Sequence, residues 1–222
     1  RRPPTSAEDF ETTGELAANA SKIVLKNLWI ARLPRVDCYW TVNYLARNVT
    51  KWNVACDKRL FRLVCYIQHT LDLVQYAYVG DPPDKCKLML FVDASFAGDL
   101  VDSKSTTGGY LFLVGPNTCV PLGHMVKKQG AVSHSSTEAE VIALDACLRI
   151  DGLPAMVLWE QALDTFCPTT TTGRGNPKPT EIEKFLENLD HVPQNVPFTN
   201  RAELCILEDN EPVIKMAIKQ RW

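Results

Sequence analysis

The chain has 222 residues, of which 45% are hydrophobic and 23% charged, and its formal net charge is −2. These values are typical of a globular protein with one large domain, or one domain and a smaller appendage. No apolar run approaches the roughly 20 residues that a membrane-spanning helix needs. The beginning of the chain lacks the apolar h-region of a secretory signal. We therefore expect an intracellular protein, in the cytoplasm or nucleus with an organelle not excluded, that has no membrane span.

The cysteines and the charges narrow the class further. None of the eight cysteines forms a CxxC pair, and most have apolar neighbours, which favours buried reduced thiols over a zinc site or disulfide framework. Residues 21–69 contain nine Lys/Arg and two acids, whereas residues 81–164 contain six Lys/Arg and eleven acids. A basic block beside an acidic block fits a polyanion-binding surface next to a metal centre, and it equally fits ordinary solvated helix faces.

In chain order, the first 80 residues are predicted to be a leader followed by helices. Residues 1–20 are polar and are expected to form a flexible leader. Residues 21–80 form a small helical segment, with Asp37 and Thr50 as candidate caps of two amphipathic helices. Alternating residues in Leu73–Val79 predict a strand at the end of this segment.

Residues 85–222 are predicted to form a second, α/β domain. Lys87–Val92 is a nearly continuous apolar run that predicts a buried strand, and Asp93 ends it. "GGYLFLVG" and "CVPLGHMV" predict two further strands, which gives an antiparallel meander. "KKQG" predicts a turn. Ser135 and Glu138 match a capping box, S-x-x-E, at the start of an apolar helix.

The C-terminal part combines an irregular insertion with one more strand and helix. Residues 167–202 are rich in Thr, Pro, Gly and Asn and are predicted to be an insertion with one short helix at 180–189. "AELCILEDN" predicts a strand that ends in acids, and Pro212 lies in the first turn of a final helix.

Three carboxylates are candidate metal ligands. Glu138 and Glu140 are two residues apart, so on a helix they point about 200° apart. Glu138 fits the cap, whereas Glu140 falls on the packed helix, where an ionised side chain needs a cation or hydrogen bonds. Residues at strand ends can converge with a residue from a crossing helix, so Asp93, Glu140 and Asp209 are expected to share Mg²⁺ or Mn²⁺. Taken singly, Asp93 and Asp209 fit turn or cap residues better than metal ligands, and it is their order and spacing together that favour a metal site.

Several segments resemble a known family. "FVDASFAGDLVDSKSTTGGYLFLVG", "KKQGAVSHSSTEAEVIAL" and "LCILEDNEPVI" are similar, in this order, to the ribonuclease H domain of copia-type LTR retrotransposon Pol polyproteins. "ARLPRVDCYWTVNYLARNVTKWNVACDKRLFRLVCYIQHTLDLVQYAY" resembles the C-terminal tail of the copia-type reverse transcriptase. The resemblance covers about Val24–Leu163 and Leu204–Ile218. It implies a ribonuclease H-like mixed sheet, a three-stranded antiparallel meander plus a parallel strand, with flanking helices.

The resemblance also implies a chemistry. Asp93, Glu140 and Asp209 match the family's catalytic, metal-binding acids, and the family hydrolyses the RNA strand of RNA–DNA hybrids with two Mg²⁺ ions. Some polar and basic side chains are candidate nucleic-acid contacts, although ordinary turn, capping or helix-surface roles fit them too: Lys127, Lys128, Ser105, Thr106, Lys58, Arg59 and Arg62.

The chain also departs from the family pattern. The family's fourth acid lies on a later segment, so we expect a C-terminally truncated domain with an exposed sheet edge that a protein partner could pair with. Three function hypotheses therefore stand after sequence analysis. They are an active endoribonuclease, a catalytically silent structural or scaffold subunit of a larger complex, and a nucleic-acid binder without cleavage.

Overall fold

A computed structural model describes residues 5–98, 102–167 and 201–219. The chain divides into two compact units, Arg1–Tyr76 and Ala77–Trp222. The first is helical in its described part, and the second combines a sheet with helices. Most of the predicted insertion, including its helix at 180–189, lies outside the described residues. No helix among the described residues is long and apolar enough to cross a bilayer.

The first unit consists of helices α1 (Glu8–Glu11), α2 (Ala20–Ala31), α3 (Tyr39–Arg47) and α4 (Val54–His69). Apolar side chains at helical spacing build its core, because one stripe of each helix faces the others. Val24, Val42 and Leu45 are fully buried in this core. Each such side chain contributes about 1.5–3 kcal/mol relative to leaving it exposed.

Residues 5–20, predicted as a flexible leader, are instead packed against α4. Asp9 is buried and its Oδ2 accepts a hydrogen bond from Lys58 Nζ at 2.6 Å. The Asp57 carboxylate accepts from the backbone N–H of Glu15 at 2.6 Å and from Trp52 Nε1 at 2.6 Å. The prediction failed because Asp9 and Glu15 find their partners, Lys58 and Asp57, more than 40 residues further along the chain. The local composition of residues 5–20 carries no signal of such distant contacts.

Two predicted caps and one predicted strand also differ in the structure. Asn53, and not Thr50, caps α4, since its Oδ1 accepts from the backbone N–H of Cys56 at 2.9 Å. Asp37 lies in a 3₁₀ turn and makes no capping bond, because its carboxylate is held by Arg35. The alternating residues of 73–79 form no strand, and only Tyr78 makes an isolated bridge, to Cys119.

The second unit contains strands β1 (Lys87–Ser95), β2 (Thr106–Gly115), β3 (Thr118–Lys128) and β4 (Leu204–Leu207), and helices α5 (Ser136–Cys147), α6 (Leu153–Phe166) and α7 (Glu211–Lys219). The strands form one open sheet of order β3-β2-β1-β4. β1 pairs antiparallel with β2, β2 pairs antiparallel with β3, and β1 pairs parallel with β4. The predicted mixed α/β sheet, three antiparallel strands plus one parallel strand with flanking helices, is therefore confirmed.

The sheet and α5 enclose the core of this unit. β1 alternates between buried and less buried residues, and Leu88, Leu90 and Val92 are among its buried positions. They pack in one cluster with Ala139 and Ala143 of α5. The alternation has the two-residue period of a strand whose one face meets the helix.

Helix α5 approaches the sheet closely at its C-terminal end. A Cβ added to Gly109 would lie 2.6 Å from Cys147 Sγ, so only glycine allows this approach. Cys147 Sγ in turn lies 3.6 Å from the carbonyl oxygen of Gly108, as a weak hydrogen bond. A π-helical turn, Leu148–Gly152, then separates α5 from α6.

Candidate metal centre

The parallel pairing of β1 with β4 brings two of the predicted acids to the same end of the sheet. Leu88 is in register with Leu204, and Phe91 with Leu207. Extending this register by two residues sets Asp209, just beyond β4, opposite Asp93 near the end of β1. Two acids separated by more than 100 residues thus become neighbours through strand pairing alone.

Helix α5 supplies the third acid. Ser135 is its N-cap and accepts from the backbone N–H of Glu138 at 3.1 Å, as predicted. The Glu138 carboxylate is exposed and reaches back to the backbone N–H of His134 at 2.7 Å, one residue before the cap. Glu140, two residues on, is only 6% exposed and packs at the base of the helix. The two glutamates therefore have the separate positions that helical geometry predicted.

Asp93, Glu140 and Asp209 form one cluster. Each offers a carboxylate oxygen, and these atoms all lie within 4.8 Å of one another. Two oxygen ligands of one Mg²⁺ are separated by about 3 to 4 Å, because each lies about 2.1 Å from the ion. The cluster therefore needs only a small closing movement to hold such a cation.

The hydrogen bonding of Glu140 also fits a cation. Its Oε2 is fully shielded and has no hydrogen-bond partner in the described structure. A buried oxygen without a partner is costly, and its cost is removed if a cation binds to it. Because Mg²⁺ and Mn²⁺ prefer carboxylate oxygens, the residues present fit either ion.

Burial and neighbouring charge set the protonation of the cluster. The pKa of Glu140 is raised to about 7, mainly by burial and then by the charges of Glu208, Asp93 and Asp209, in that order of effect. A backbone hydrogen bond from Ala94 acts in the opposite direction on the same pKa. Without a cation, Glu140 therefore exchanges its proton near neutral pH, as expected when carboxylates crowd together.

Glu208 is a fourth acid that sequence analysis did not single out. Its Oε2 is shielded and has no partner in the described structure, while its Oε1 accepts from the backbone N–H of Asn210 at 3.0 Å. Burial is the main cause that raises its pKa. The signal was present in "LEDN", in which two acids are adjacent, but the strand pattern favoured only the second.

Gln129 holds the helix that carries Glu140. It is 5% exposed, and its Nε2 donates to the carbonyl oxygen of Ala139 at 2.9 Å and to Thr107 Oγ1 at 3.2 Å. Its Oε1 accepts from Ser133 Oγ at 3.1 Å. The residue before Glu140 is thereby tied to β2, the strand that pairs with β1. The prediction of a turn at "KKQG" is wrong in part, since β3 continues through Lys128.

Two of the predicted nucleic-acid contacts are buried. Ser105 is fully buried, and its Oγ accepts from the backbone N–H of Ala97 at 3.1 Å, while its carbonyl oxygen accepts from the backbone N–H of Gln129 at 2.9 Å. Thr106 is 8% exposed and opens β2. A buried hydroxyl cannot reach a phosphate, so we remove both from the candidate contacts and keep the alternative, strand-end role.

The two lysines lie at the same end of the sheet as Asp93. Lys127 pairs with Thr107 and Lys128 with Thr106, two strands away from β1. Two strand spacings correspond to about 10 Å. Lys127 is exposed, whereas Lys128 forms an ion pair with Asp102 at 2.7 Å. Lys127 is therefore the better placed of the two for contact with a polyanion.

The three basic residues of α4 belong to the first unit. Lys58 is paired with Asp9, as described above. Arg59 stacks over the ring of Tyr44 with 4.2 Å between its Cζ and the ring centroid. Arg62 donates from Nε to the carbonyl oxygen of Lys58 at 3.3 Å. Lys58 is thus neutralised by an acid and Arg59 lies on an aromatic ring, so the three side chains do not form a simple basic stripe.

No protein-family model matches the chain. The class that fold and cluster define is an α/β protein with an acidic, potentially metal-binding centre at one end of a mixed sheet.

Proposed function

We propose that the second unit is a retroelement-derived, ribonuclease H-like nuclease that hydrolyses the RNA strand of RNA–DNA hybrids with Mg²⁺ or Mn²⁺. The single observation that carries the proposal is the convergence of Asp93, Glu140 and Asp209, with the Oε2 of Glu140 buried and unpartnered. The order of these acids on β1, α5 and the segment after β4 agrees with the resemblance to copia-type ribonuclease H domains.

Each acid has a distinct part in this proposal. Asp93 and Asp209 are exposed and would hold the cation at the surface of the cluster, where a phosphate can approach. Glu140 would hold it from beneath and orient the attacking water, since its shielded Oε2 has no hydrogen-bond partner among the described residues. Bound divalent ions supply activation of water and stabilisation of the leaving oxygen.

Lys127 supports the choice of a polyanionic substrate. Its exposed ammonium lies at the same end of the sheet as the cluster. A lysine contacts a phosphate without reading a base, so it would bind the backbone of a hybrid of any sequence. The hybrid itself, as opposed to another duplex, is supported by the resemblance.

The direct test is cleavage of an end-labelled RNA–DNA hybrid by the full chain in Mg²⁺, with double-stranded DNA and double-stranded RNA of the same sequence as comparisons. Glu140→Gln should reduce the rate by about 10²-fold or more. The matched control, Glu138→Gln, changes an exposed capping acid two residues away and should keep most of the activity. If the native chain cleaves no faster than Glu140→Gln, the enzymatic proposal fails.

A second candidate function is a catalytically silent scaffold subunit. β4 has only four residues, and no described strand pairs with its outer side. Ile206 is 43% and Leu207 38% exposed on this strand. An edge with free backbone groups and apolar side chains can accept a strand from a partner.

Co-purification and turnover, each measured for the native chain and its variants, separate the two functions. A scaffold should co-purify in a stoichiometric complex that dissociates when Ile206 is replaced by Lys, and this complex should tolerate Glu140→Gln. A nuclease should turn over as an isolated chain and lose turnover with Glu140→Gln. A monomer that is stable, inactive and without a stoichiometric partner would contradict both.

A further inference from the structure

The first unit contains a cleft that the nuclease proposal does not use. It has a volume of about 340 Å³ and lies between α3 and α4. This size is at the lower end of the range for small-molecule sites, which span about 300–1,000 Å³. Its walls carry three aromatic rings, two arginines and one acid: Trp40, Tyr44, Tyr66, Arg59, Arg62 and Asp37.

The spacing of these residues explains how the cleft forms. On α4 the lining positions are i, i+3, i+4 and i+7 from Arg59, and on the other wall they have the same spacing from Asp37. This is the spacing of one helix face. A face that would normally be aliphatic carries arginines and aromatic rings instead, so the helices leave room between them.

Aromatic rings of the cleft form a stack, and the ring at its outer end is exposed to solvent. Trp40 stacks on Tyr44 with ring centroids 5.9 Å apart and an interplanar angle of 21°. Arg59 lies over Tyr44, and Phe10 lies 5.7 Å from the same guanidinium. Trp40 remains 51% exposed and Tyr66 44% exposed. An exposed indole at the end of a stack is a platform for one more flat ring.

The charges of the cleft favour an anion. Asp37 is neutralised by Arg35, which donates to it twice, at 3.0 Å and 2.8 Å. Arg59 and Arg62 form no ion pair with any acid of the described residues, and Nη1 of Arg59 has no acceptor there. Two guanidinium groups that form no ion pair with a described acid therefore lie beside the stacked aromatic rings.

We propose that this cleft binds an unpaired nucleotide of a single-stranded nucleic acid, with the base stacked on Trp40 and the phosphate at Arg62 and Arg59. Stacking surface and anion site occur together, which is the combination that single-stranded nucleic-acid proteins use. An acidic peptide would satisfy the arginines but would leave the indole unused. The proposal is independent of the nuclease proposal, because none of the cleft residues belongs to the second unit.

The test is fluorescence anisotropy of a labelled 12-nucleotide single strand with the full chain in EDTA, which prevents metal-dependent cleavage. Trp40→Ala should weaken binding about 5- to 150-fold, since one stacked base contributes about 1–3 kcal/mol, whereas Trp40→Phe should keep most of the affinity. Arg62→Ala should weaken binding and lower the slope of log K against log salt by about one.

Matched controls lie in the same unit outside the cleft. Trp29 is 72% exposed on α2 and Arg32 is exposed just after it. Trp29→Ala and Arg32→Ala should bind as the native chain does. Urea denaturation of each variant checks that the fold is kept, which the exposure of Trp40 favours.

A competition experiment distinguishes the chemistry of the ligand. The proposal expects that inorganic polyphosphate, matched for charge, competes more weakly than an unlabelled single strand. A duplex of the same sequence should also bind more weakly, because its bases are already stacked. Equal competition by polyphosphate, equal binding of the duplex, or native affinity in Trp40→Ala would each overturn the proposal.

Discussion

Replacing Glu140 by glutamine should stabilise the metal-free protein at alkaline pH. The pKa of Glu140 rises from an ordinary 4.5 to about 7 in the fold. Between these values the folded chain keeps a proton that the unfolded chain has lost, so the free energy of unfolding falls as the pH rises through this window. A difference of about 2.5 pH units corresponds to a limit of about 3 kcal/mol, and solvent near Asp93 and Asp209 will reduce it.

The assay is urea denaturation in EDTA at pH 5 and pH 8, with hydrogen exchange of β1 and α5 peptides to follow the second unit by itself. The native chain should lose about 1–3 kcal/mol relative to Glu140→Gln between the two pH values. Glu138→Gln, the control, changes an exposed capping acid outside the cluster, so the loss of stability between the two pH values should remain.

In Mg²⁺ the native chain should become more stable than Glu140→Gln, the reverse of the order expected in EDTA at pH 8. At about 100 times its dissociation constant, a ligand that binds only the folded state adds about 2.7 kcal/mol. The native chain should gain this at pH 8, and less at pH 6, where a proton competes for Glu140. Glu140→Gln should gain little. The reasoning is refuted if the variant is less stable than the native chain in EDTA at pH 8, or gains as much from Mg²⁺.

Three further predictions concern the metal centre, the residue that holds α5 and the packing of α5 on the sheet. Gln129→Leu removes the amide that joins α5 to the buried hydroxyls of Thr107 and Ser133, so it should cost about 1–3 kcal/mol and weaken Mn²⁺ binding about 10- to 100-fold in calorimetry; unchanged Mn²⁺ affinity would leave Gln129 with a purely structural role. Gly109→Ala should destabilise the chain by about 1–3 kcal/mol, and Cys147→Ala in the same chain should restore part of this in a double-mutant cycle, since the added Cβ meets Cys147 Sγ at 2.6 Å. Asp209→Asn should lower Mn²⁺ affinity without changing the urea midpoint in EDTA by more than about 1 kcal/mol, because its carboxylate is exposed; a large loss of stability would show that it holds the fold instead.

Residues with strong local patterns were predicted well. The apolar run before Asp93 and the segments "GGYLFLVG" and "CVPLGHMV" after it predicted β1, β2 and β3, because the apolar composition of a strand is a property of neighbouring residues. The cap at Ser135 follows equally from local chemistry. Local periodicity failed at 73–79, where no described strand pairs along the segment and only Tyr78 makes an isolated bridge.

Features that depend on distant partners could not be read from the pattern. Gln129 occurs in a polar stretch that suggests a turn, yet it is buried because α5 folds back over it. Ser105 and Thr106 suggested phosphate contacts, and burial against the neighbouring loop and strand removes them from the surface. Propensity describes a residue's own backbone, whereas burial is decided by what packs on top of it.

The sequence by itself determined the order of the elements and which three acids are candidate metal ligands, since strand ends, helix caps and an ionisable residue on an apolar helix are all local signals. Only the tertiary structure decided that Asp93, Glu140 and Asp209 meet within 4.8 Å, and that Arg59 and Trp40 flank one cleft. The physical reason is that strand register and helix packing bring together residues that are far apart in the chain. The periodicity within one strand or helix does not encode how close its side chains come to those of another element.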